Sequence, residues 1–166
     1  SFPRFGWSVA LSADGATALV GSYQDNTGKG AGYVFTRDNA GAWTQQGSKL
    51  VGTGGNGQQQ QGYSVALSAD GNTALLGGWG DSSGPGATWV FTRSNAVWSQ
   101  KGARLRGADG VGPSAQGTSV ALSAAGDTAL IGGYFDNNAK GAAWGFTRRS
   151  PHRSEEHTSE LQSHSF

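Results

Sequence analysis

The chain has 166 residues, with 29 glycines, no cysteine and a net charge of +1 at neutral pH. This length suffices for one domain with a real core, the missing cysteines exclude disulfide and thiol chemistry, and the near-neutral charge argues against a nucleic-acid partner. No apolar run reaches the roughly 18 residues that a membrane-spanning helix needs. The first residues, SFPRFG, already belong to a repeated unit, so we expect an internal fragment of a longer protein.

The same short sequence returns three times along the chain. SVALSADG occupies residues 8–15 and 64–71, and SVALSAAG occupies residues 119–126. Internal repeats of this length indicate an array of identical structural units. Other positions keep the same spacings of 56 and 55 residues: Gly6, Gly62 and Gly117; Gly21, Gly77 and Gly132; Phe35, Phe91 and Phe146.

Each unit predicts four short strands, described here for the first copy. SVALSA (8–13) and TALVGSY (17–23) are apolar at alternate or adjacent positions, which favours strands buried on both faces. The Asp14-Gly15 pair between them predicts a tight type I′ hairpin. GYVFTR (32–37) predicts a third strand. The mixed polarity of AWTQQGSKL (42–50) predicts a half-exposed fourth strand at the outer edge.

Four antiparallel strands in about 40 to 50 residues are typical of a β-propeller blade. We therefore predict an all-β fold, a partial β-propeller with three consecutive blades of four-stranded antiparallel sheet, at about 5–50, 61–105 and 116–148. The third blade is expected to be incomplete, and the remaining blades of the propeller to be missing from this chain. The propeller region is expected to cover residues 1–149.

The motifs of the repeat resemble those of a known family. Phe5-Gly6, SVALSADG, GYVFTR and the outer strand with its Trp and Leu together resemble FG-GAP repeats, which form the propeller of integrin α-subunits and of many bacterial surface and secreted proteins. The resemblance covers residues 5 to about 148. It departs from the family where Gln61-Gly62 and Gln116-Gly117 replace Phe-Gly, and where an aromatic residue replaces the proline of the GAP triplet. Kelch repeats, whose Gly-Gly and Trp pattern the second copy imitates, are the alternative, and they too imply a propeller.

The loop after the second strand carries the candidate binding residues. It reads QDNTGKG, GDSSGPG and FDNNAKG, and in a propeller it lies on the face opposite the short hairpins, where partners bind in the family resembled. Adjacent aromatic and acidic groups are able to stack on a sugar ring and accept hydrogen bonds from its hydroxyls. The competing interpretation is structural, with each Asp capping a turn and each ring packing between blades. The candidates are Tyr23, Asp25, Trp79, Asp81, Tyr134 and Asp136.

Two kinds of chemistry are not expected. The resemblance implies calcium sites in the first hairpin, but such sites need several oxygen ligands around one cation, and the hairpin here offers only Asp14, so we expect no metal and no cofactor. Residues 1–150 contain no His, Cys or Glu, which are the usual acid–base and nucleophilic groups. We therefore expect that the chain is not an enzyme.

The resemblance implies a non-catalytic binding or adhesion module, part of a bacterial secreted or cell-surface protein with an extracellular or cell-surface location. Its ligand is expected to be a protein or a glycan. Two alternatives stay open. One is a propeller that acts as the scaffold of a larger enzyme whose active site lies outside this chain, and the other is a glycan-binding propeller.

The composition changes abruptly near residue 150. Every glutamate and every histidine lies after that point, whereas the last glycine is Gly145. The segment RSEEHTSELQSH at 153–164 resembles the translation of a common sequencing-library adapter. We expect the natural sequence to be cut off near Arg149, and residues 150–166 to be a non-native or disordered tail, coil or a short isolated helix, without function.

Overall fold

The computed structural model describes residues 2–80, 85–148 and 161–165. These residues form three antiparallel sheets, and the strands of each sheet follow one another in chain order, which confirms the prediction of three consecutive blades. The third sheet, expected to be incomplete, has a fourth strand formed by residues 161–165. We call the sheets blades 1, 2 and 3. Blade 1 contains β1 (Ser8–Leu11), β2 (Thr17–Ser22), β3 (Ala31–Arg37) and β4 (Trp43–Gln45); blade 2 contains β5 (Ser64–Leu67), β6 (Thr73–Gly78), β7 (Ala87–Ser94) and β8 (Val97–Gln100); blade 3 contains β9 (Ser119–Leu122), β10 (Thr128–Gly133), β11 (Ala142–Arg148) and β12 (Leu161–Ser165).

Two one-turn segments follow the second strands of blades 1 and 3. They are α1 (Asp25–Gly28) and α2 (Asp136–Ala139). The first contains two and the second three consecutive non-glycine residues with positive φ angles between 48° and 65°, so these segments are tight loop turns and not regular helices. Their effect is to turn the chain sharply at one end of the blade, beside the connection that leads to the neighbouring blade.

The hairpin between the first two strands differs from the predicted type I′ turn. Gly15 has a φ of +65°, but Asp14 is not among the residues with positive φ, and a type I′ turn needs both. The Gly15 N–H donates to the Ser12 carbonyl over 3.0 Å, and Ser12 pairs with Thr17. The Asp14 carboxylate accepts from the Ser12 hydroxyl and from the Ala16 N–H over 2.6 and 2.9 Å, and these two hydrogen bonds stabilise the four-residue loop between Ser12 and Thr17.

The blades pack side by side with their first strands adjacent, β1 beside β5 and β5 beside β9. One apolar cluster fills the joint between blades 1 and 2 around Leu19, Leu76 and Trp89. A second fills the joint between blades 2 and 3 and includes Leu75 and Trp144. Trp89 and Trp144 are fully buried, so these third-strand rings belong to the core.

The prediction that the first strands are buried on both faces is wrong. Val9 and Leu11 of β1 are 69% and 61% exposed, and the corresponding apolar residues of β5 and β9 are half-buried. The reason is geometric, because among the described residues β1 has a neighbouring blade on one side only. The second strand of the middle blade, β6, is buried along its whole length.

Gln61 and Gln116 replace the Phe of the repeat motif for a structural reason. Both side chains are fully buried. The Gln61 amide oxygen accepts from the Gly52 N–H over 2.6 Å, and its amide nitrogen donates to the Gly52 carbonyl over 2.9 Å. Gln116 forms the same pair with Gly107. Each Gln side chain therefore supplies the hydrogen-bond partners for the N–H and C=O groups of one buried glycine. A neighbouring strand would otherwise have to supply them.

The end of the chain contributes a strand to blade 3. Residues 150–160 lie outside the described residues, but residues 161–165 form β12, which pairs antiparallel with β11 from Arg148↔Leu161 to Trp144↔Ser165. The expectation of coil or a short isolated helix is therefore wrong for this segment. A free sheet edge offers unpaired N–H and C=O groups, and pairing with them requires no apolar side chain.

Candidate functional site

The loops after the second strands lie against the connections between blades. The Gln60 and Gln61 N–H groups donate to the carbonyls of Gly28 and Lys29 over 2.9 and 3.0 Å. In the next joint Asn137 donates to the Val111 carbonyl over 3.0 Å. These contacts place the loops and the connections together on the blade face opposite the short hairpins.

Asp25 is engaged inside the fold. Its side chain is buried, and its two oxygens accept from the Lys49 ammonium group over 2.8 Å and from the Tyr33 hydroxyl. Burial opposes ionisation, but the hydrogen bonds from Lys49 and Tyr33 outweigh it and lower the pKa of the Asp25 carboxyl. Burial and the same hydrogen bond raise the pKa of Tyr33 to about 12. Asp25 therefore holds blade 1 together and has no free oxygen turned to a ligand.

Asp136 occupies the equivalent position in blade 3 and is also buried. Its carboxylate accepts from the Val111 N–H over 2.7 Å, which ties the loop of blade 3 to the preceding connection. These contacts favour the structural interpretation of the two carboxylates, although their partners lie outside the loops that carry them. The third predicted carboxylate, Asp81, lies outside the described residues.

The aromatic candidates have a different environment. Tyr23 follows β2, Trp79 follows β6, and both rings join a continuous cluster that also contains Trp7 and Tyr63. Ring centroids lie 4.9 Å apart for Trp7–Tyr23, 5.5 Å for Trp7–Tyr63, 5.3 Å for Tyr23–Tyr63 and 6.0 Å for Tyr63–Trp79. We call these four rings the aromatic platform. Trp7 is 51% and Trp79 38% exposed, so the platform faces outward.

Sequence reasoning missed Trp7 and Tyr63. A signal was present, because each directly follows the equivalent Gly6 or Gly62 and directly precedes the first strand of its blade. First strands begin, and second strands end, at the same end of an antiparallel pair, so these residues had to meet Tyr23 and Trp79.

The platform stops at the joint between blades 2 and 3. In the third copy Thr118 occupies the position of Trp7 and Tyr63. Tyr134 contacts Phe135 instead, at a centroid distance of 5.7 Å, and is 62% exposed. The candidate site therefore belongs to blades 1 and 2, and Tyr134 stands apart from it.

A groove of about 480 Å³ lies at the outer rim, between the fourth strands of blades 1 and 2. Its polar groups already serve the joint: the Gln46 side-chain oxygen accepts from Trp98 Nε1 over 3.1 Å and from the Arg93 guanidinium over 3.0 Å. Arg93 also stacks over the Trp98 ring at 5.4 Å. These contacts close the blade joint from outside, and the aromatic platform remains the stronger candidate.

The chemistry available to the platform is contact with apolar and ring-shaped surfaces. Exposed Trp and Tyr rings offer large, rigid faces, and the Tyr hydroxyls offer hydrogen bonds at the rim. Across residues 2–80 and 85–148, no three His, Cys, Asp or Glu side chains are grouped as metal ligands would be. The same described part of the chain contains no helix long and apolar enough to cross a membrane.

Comparison with known proteins agrees with this architecture. Residues 2–35 match the family model described as FG-GAP repeat, which confirms the resemblance for the first copy. No curated protein sequence matches the chain. Among solved structures, Saccharomyces cerevisiae Sqt1 is 11% identical with a TM-score of 0.59, and the β-propeller domain of the Trilobed protease from Pyrococcus furiosus is 12% identical with a TM-score of 0.50.

Both structures match over the whole of this chain, which spans 36% of the first and 43% of the second. At such low identity the likeness concerns the fold alone. The chain is a partial β-propeller of three consecutive blades.

Proposed function

We propose that the chain is a non-catalytic binding or adhesion module whose ligand contacts the aromatic platform. The ligand is a protein or a glycan. The resemblance to FG-GAP repeats of integrin α-subunits and bacterial surface proteins supports an extracellular or cell-surface location in a bacterial secreted or surface protein.

The observation that carries this proposal is the contiguity of the platform. Single exposed aromatic residues are normal on protein surfaces, whereas contiguous exposed apolar patches mark sites of interaction. These four rings come from two blades and from four different strand ends, yet they form one continuous contact, tilted in the two pairs of Trp7 and edge to face in Tyr23–Tyr63 and Tyr63–Trp79.

The strand ends also make the platform rigid. The Trp7 N–H donates to the Arg4 carbonyl over 3.2 Å, and the Tyr63 N–H donates to the carbonyls of Gln60 and Gly77, each over 3.1 Å. A preorganised surface loses little conformational freedom on binding. This rigidity favours a ligand that stacks on the platform, because the affinity of stacking depends on the positions of the rings.

A glycan array and a panel of extracellular proteins test the proposal with the full chain. We expect binding to at least one ligand, and we expect Trp7→Ala and Trp79→Ala to abolish it, since each removes a face of the platform. Trp43→Ala is the matched control, because Trp43 is 43% exposed but lies on the outer strand β4. Equal binding by all three variants would contradict the proposal.

The second candidate function is a propeller that serves as scaffold in a larger enzyme. The observation that favours it is the likeness to the propeller domain of a protease. The domains encoded beside this chain in its source gene discriminate between the two candidates: adhesin-like neighbours support the binding module, and a hydrolase domain supports the scaffold.

A further inference from the structure

The row of rings on the blade face opposite the short hairpins is interrupted inside the chain. Trp7 and Tyr63 directly precede the first strands of blades 1 and 2, and Thr118 has the equivalent position before the first strand of blade 3. This first strand, β9, packs against β5 and β6 of blade 2 on one side and pairs with β10 of its own blade. The interruption therefore lies in an internal joint, and it comes from the residue type at position 118.

The joint between blades 1 and 2 shows what a ring at this position contacts. Tyr63 is the central ring of the aromatic platform, because its ring contacts the other three. Its ring contacts Tyr23, which follows the second strand of the preceding blade, and Trp79, which follows the second strand of its own blade. Both contacts are edge to face, with interplanar angles of 75° and 81°. A ring at this position therefore joins the rings of two successive blades.

The backbone of the next joint repeats that of the first. The φ angle is +57° at Gln60 and +55° at Ala115, the residue three positions before each site. The Tyr63 N–H donates to the Gln60 carbonyl over 3.1 Å, and the Thr118 N–H donates to the Ala115 carbonyl over 3.3 Å. In both joints a serine hydroxyl of the earlier blade donates over 2.8 Å to the carbonyl of the glycine before the site. The side chain at position 118 therefore starts from the same backbone conformation as that of Tyr63.

The rings that border position 118 lack the partner that Tyr63 supplies in the first joint. By the order of the repeat, Trp79 and Tyr134 border Thr118 as Tyr23 and Trp79 border Tyr63. Trp79 is 38% and Tyr134 62% exposed. Thr118 is half-buried, and its hydroxyl donates to the Gly132 carbonyl over 3.3 Å. We call the gap between Trp79 and Tyr134, beside Thr118, the notch.

We propose that the notch binds an aromatic side chain of a partner protein, whose ring takes the place that Tyr63 fills in the first joint. This inference rests on the proposed binding function and narrows its ligand to a protein. The internal joint supports it, because a tyrosine ring occupies this position on the same backbone. Aromatic side chains that enter preformed pockets supply much of the binding energy of protein interfaces.

The contact geometry favours an aromatic ring over a sugar. In an edge-to-face contact, the positive edge of one aromatic ring meets the negative face of the other. A saturated sugar ring has no π-system, so it cannot offer a negative face to the edges of the neighbouring rings. The residues of the notch, Thr118, Trp79 and Tyr134, are all of uncharged types, which favours a neutral occupant.

A titration of the full chain with p-cresol, the tyrosine side chain as a free molecule, tests the proposal. Amide NMR spectra report the binding. We expect saturable shifts of the Thr118 amide signal and of the Trp79 indole N–H signal. Methyl β-D-glucopyranoside over the same concentrations should leave both signals in place. No saturable shift with p-cresol, or an equal response to the glucoside, would overturn the aromatic occupant.

Filling the notch from within the chain tests its position. We expect Thr118→Tyr to abolish the saturable shift of the Trp79 indole signal, because the new ring occupies the site. Thr118→Ser is the matched control, since it keeps a hydroxyl and leaves the notch open, and it should bind p-cresol as the wild type does. Undiminished binding by Thr118→Tyr would overturn the site. Circular dichroism checks that each variant folds, and the wild-type titration decides the proposal if one does not.

Emptying the first joint gives the converse test. Tyr63→Thr removes the ring between Tyr23 and Trp79 and so creates the arrangement of the notch a second time. We expect p-cresol to produce a saturable shift of the amide signal at position 63, which the wild type does not show. A folded Tyr63→Thr variant without this response would contradict the view that the residue type at this position determines binding.

A panel of extracellular proteins and a glycan array separate this inference from the proposed function. A protein ligand whose binding Thr118→Tyr abolishes supports both. A ligand that Trp79→Ala abolishes and Thr118→Tyr leaves unchanged supports the platform and overturns the notch. A glycan whose binding Thr118→Tyr abolishes would overturn the aromatic occupant. Saturation by p-cresol without a ligand in either collection supports the notch and counts against the proposed function.

Discussion

The strands β6 and β10 have nearly the same sequence, TALLGG and TALIGG, but very different environments. Every residue of β6 is buried, whereas in β10 the exposed and buried residues alternate. The two strands have equivalent partners within their own blades, β5 and β7 for one and β9 and β11 for the other. The difference comes from the neighbouring blades, because β6 is covered on both faces and β10 on one. In this repeat, burial is a property of the neighbours and not of the strand.

The largest expected effect is on stability, and it comes from shortening the equivalent leucines of β6 and β10. Leu75→Ala removes a fully buried side chain from the joint between blades 2 and 3, and we expect it to lower the free energy of unfolding by about 2–5 kcal/mol. The equivalent Leu130→Ala should cost about 1 kcal/mol or less in dilute, monomeric protein, since Leu130 is 45% exposed. Urea denaturation of both variants measures the difference. Equal losses would show that the two blades are covered alike.

A smaller effect is expected at the buried glutamine of the first joint. Gln61→Ala leaves the N–H and C=O of Gly52 without partners in a buried site, and we expect a loss of about 1–3 kcal/mol in the free energy of unfolding. Gln45→Ala is the control, because Gln45 donates to the Gly47 carbonyl over 2.9 Å at an exposed site. Its loss should stay below about 0.5 kcal/mol in the same urea titration. A Gln61 variant as stable as the control would refute the stabilising role of the two hydrogen bonds between Gln61 and Gly52.

The smallest effect concerns a pair that only the first copy carries. Tyr33 is hydrogen-bonded to Asp25, while its equivalents in blades 2 and 3 are Trp89 and Trp144. The folded-state pKa of Tyr33, about 12, lies above its ordinary value of 10.0, so the stabilisation is complete below pH 10.0 and is lost as the pH rises through about 12. An ultraviolet absorbance titration should show a late tyrosine step that Tyr33→Phe removes and Tyr134→Phe leaves.

The carboxyl group of the same pair has a pKa that is shifted in the opposite direction, so its stabilisation is lost at low pH. The pKa of Asp25 is lowered in the folded state, with burial opposing and the hydrogen bonds from Lys49 and Tyr33 prevailing. Its stabilisation is therefore present above the unfolded-state pKa of about 3.9 and is lost as the pH falls through the folded value. Asp25→Asn should flatten the acid limb of the pH–stability curve, and an unchanged limb would contradict this assignment.

Much of the fold was predictable because the same sequence pattern occurs in three copies. The spacing of Gly21, Gly77 and Gly132 fixed the unit, and the run of apolar residues in each second strand indicated a buried strand. The location of the loops beside the connections also followed from the order of antiparallel strands.

Other features depend on contacts that a single strand does not reveal. The exposure of Val9 and Leu11 depends on the absence of a neighbour on one side of blade 1, although the same residue types recur in the covered copies. The hairpin type depends on the Asp14 carboxylate, which binds its own loop. The strand at 161–165 depends on a free sheet edge more than on its own composition.

The candidate site was predictable only in part. Tyr23 and Trp79 stood out because they precede the loop in register, and they do belong to the aromatic platform. Asp25 and Asp136 stood out equally, but their oxygens are turned to Lys49 and to the Val111 N–H. Equivalent positions in the repeat are identified by sequence register, which does not indicate whether a side chain points to solvent or to a partner inside the fold.

Native-state hydrogen exchange tests most directly the claim that neighbours determine burial. Leu19, Leu75 and Leu130 occupy equivalent positions in the second strands of the three blades, and units in a repeat array open according to their contacts with neighbours. In dilute, monomeric protein we expect the amide of Leu75 to exchange most slowly and that of Leu130 clearly faster. Equal exchange at all three positions, or faster exchange in β6, would contradict the account.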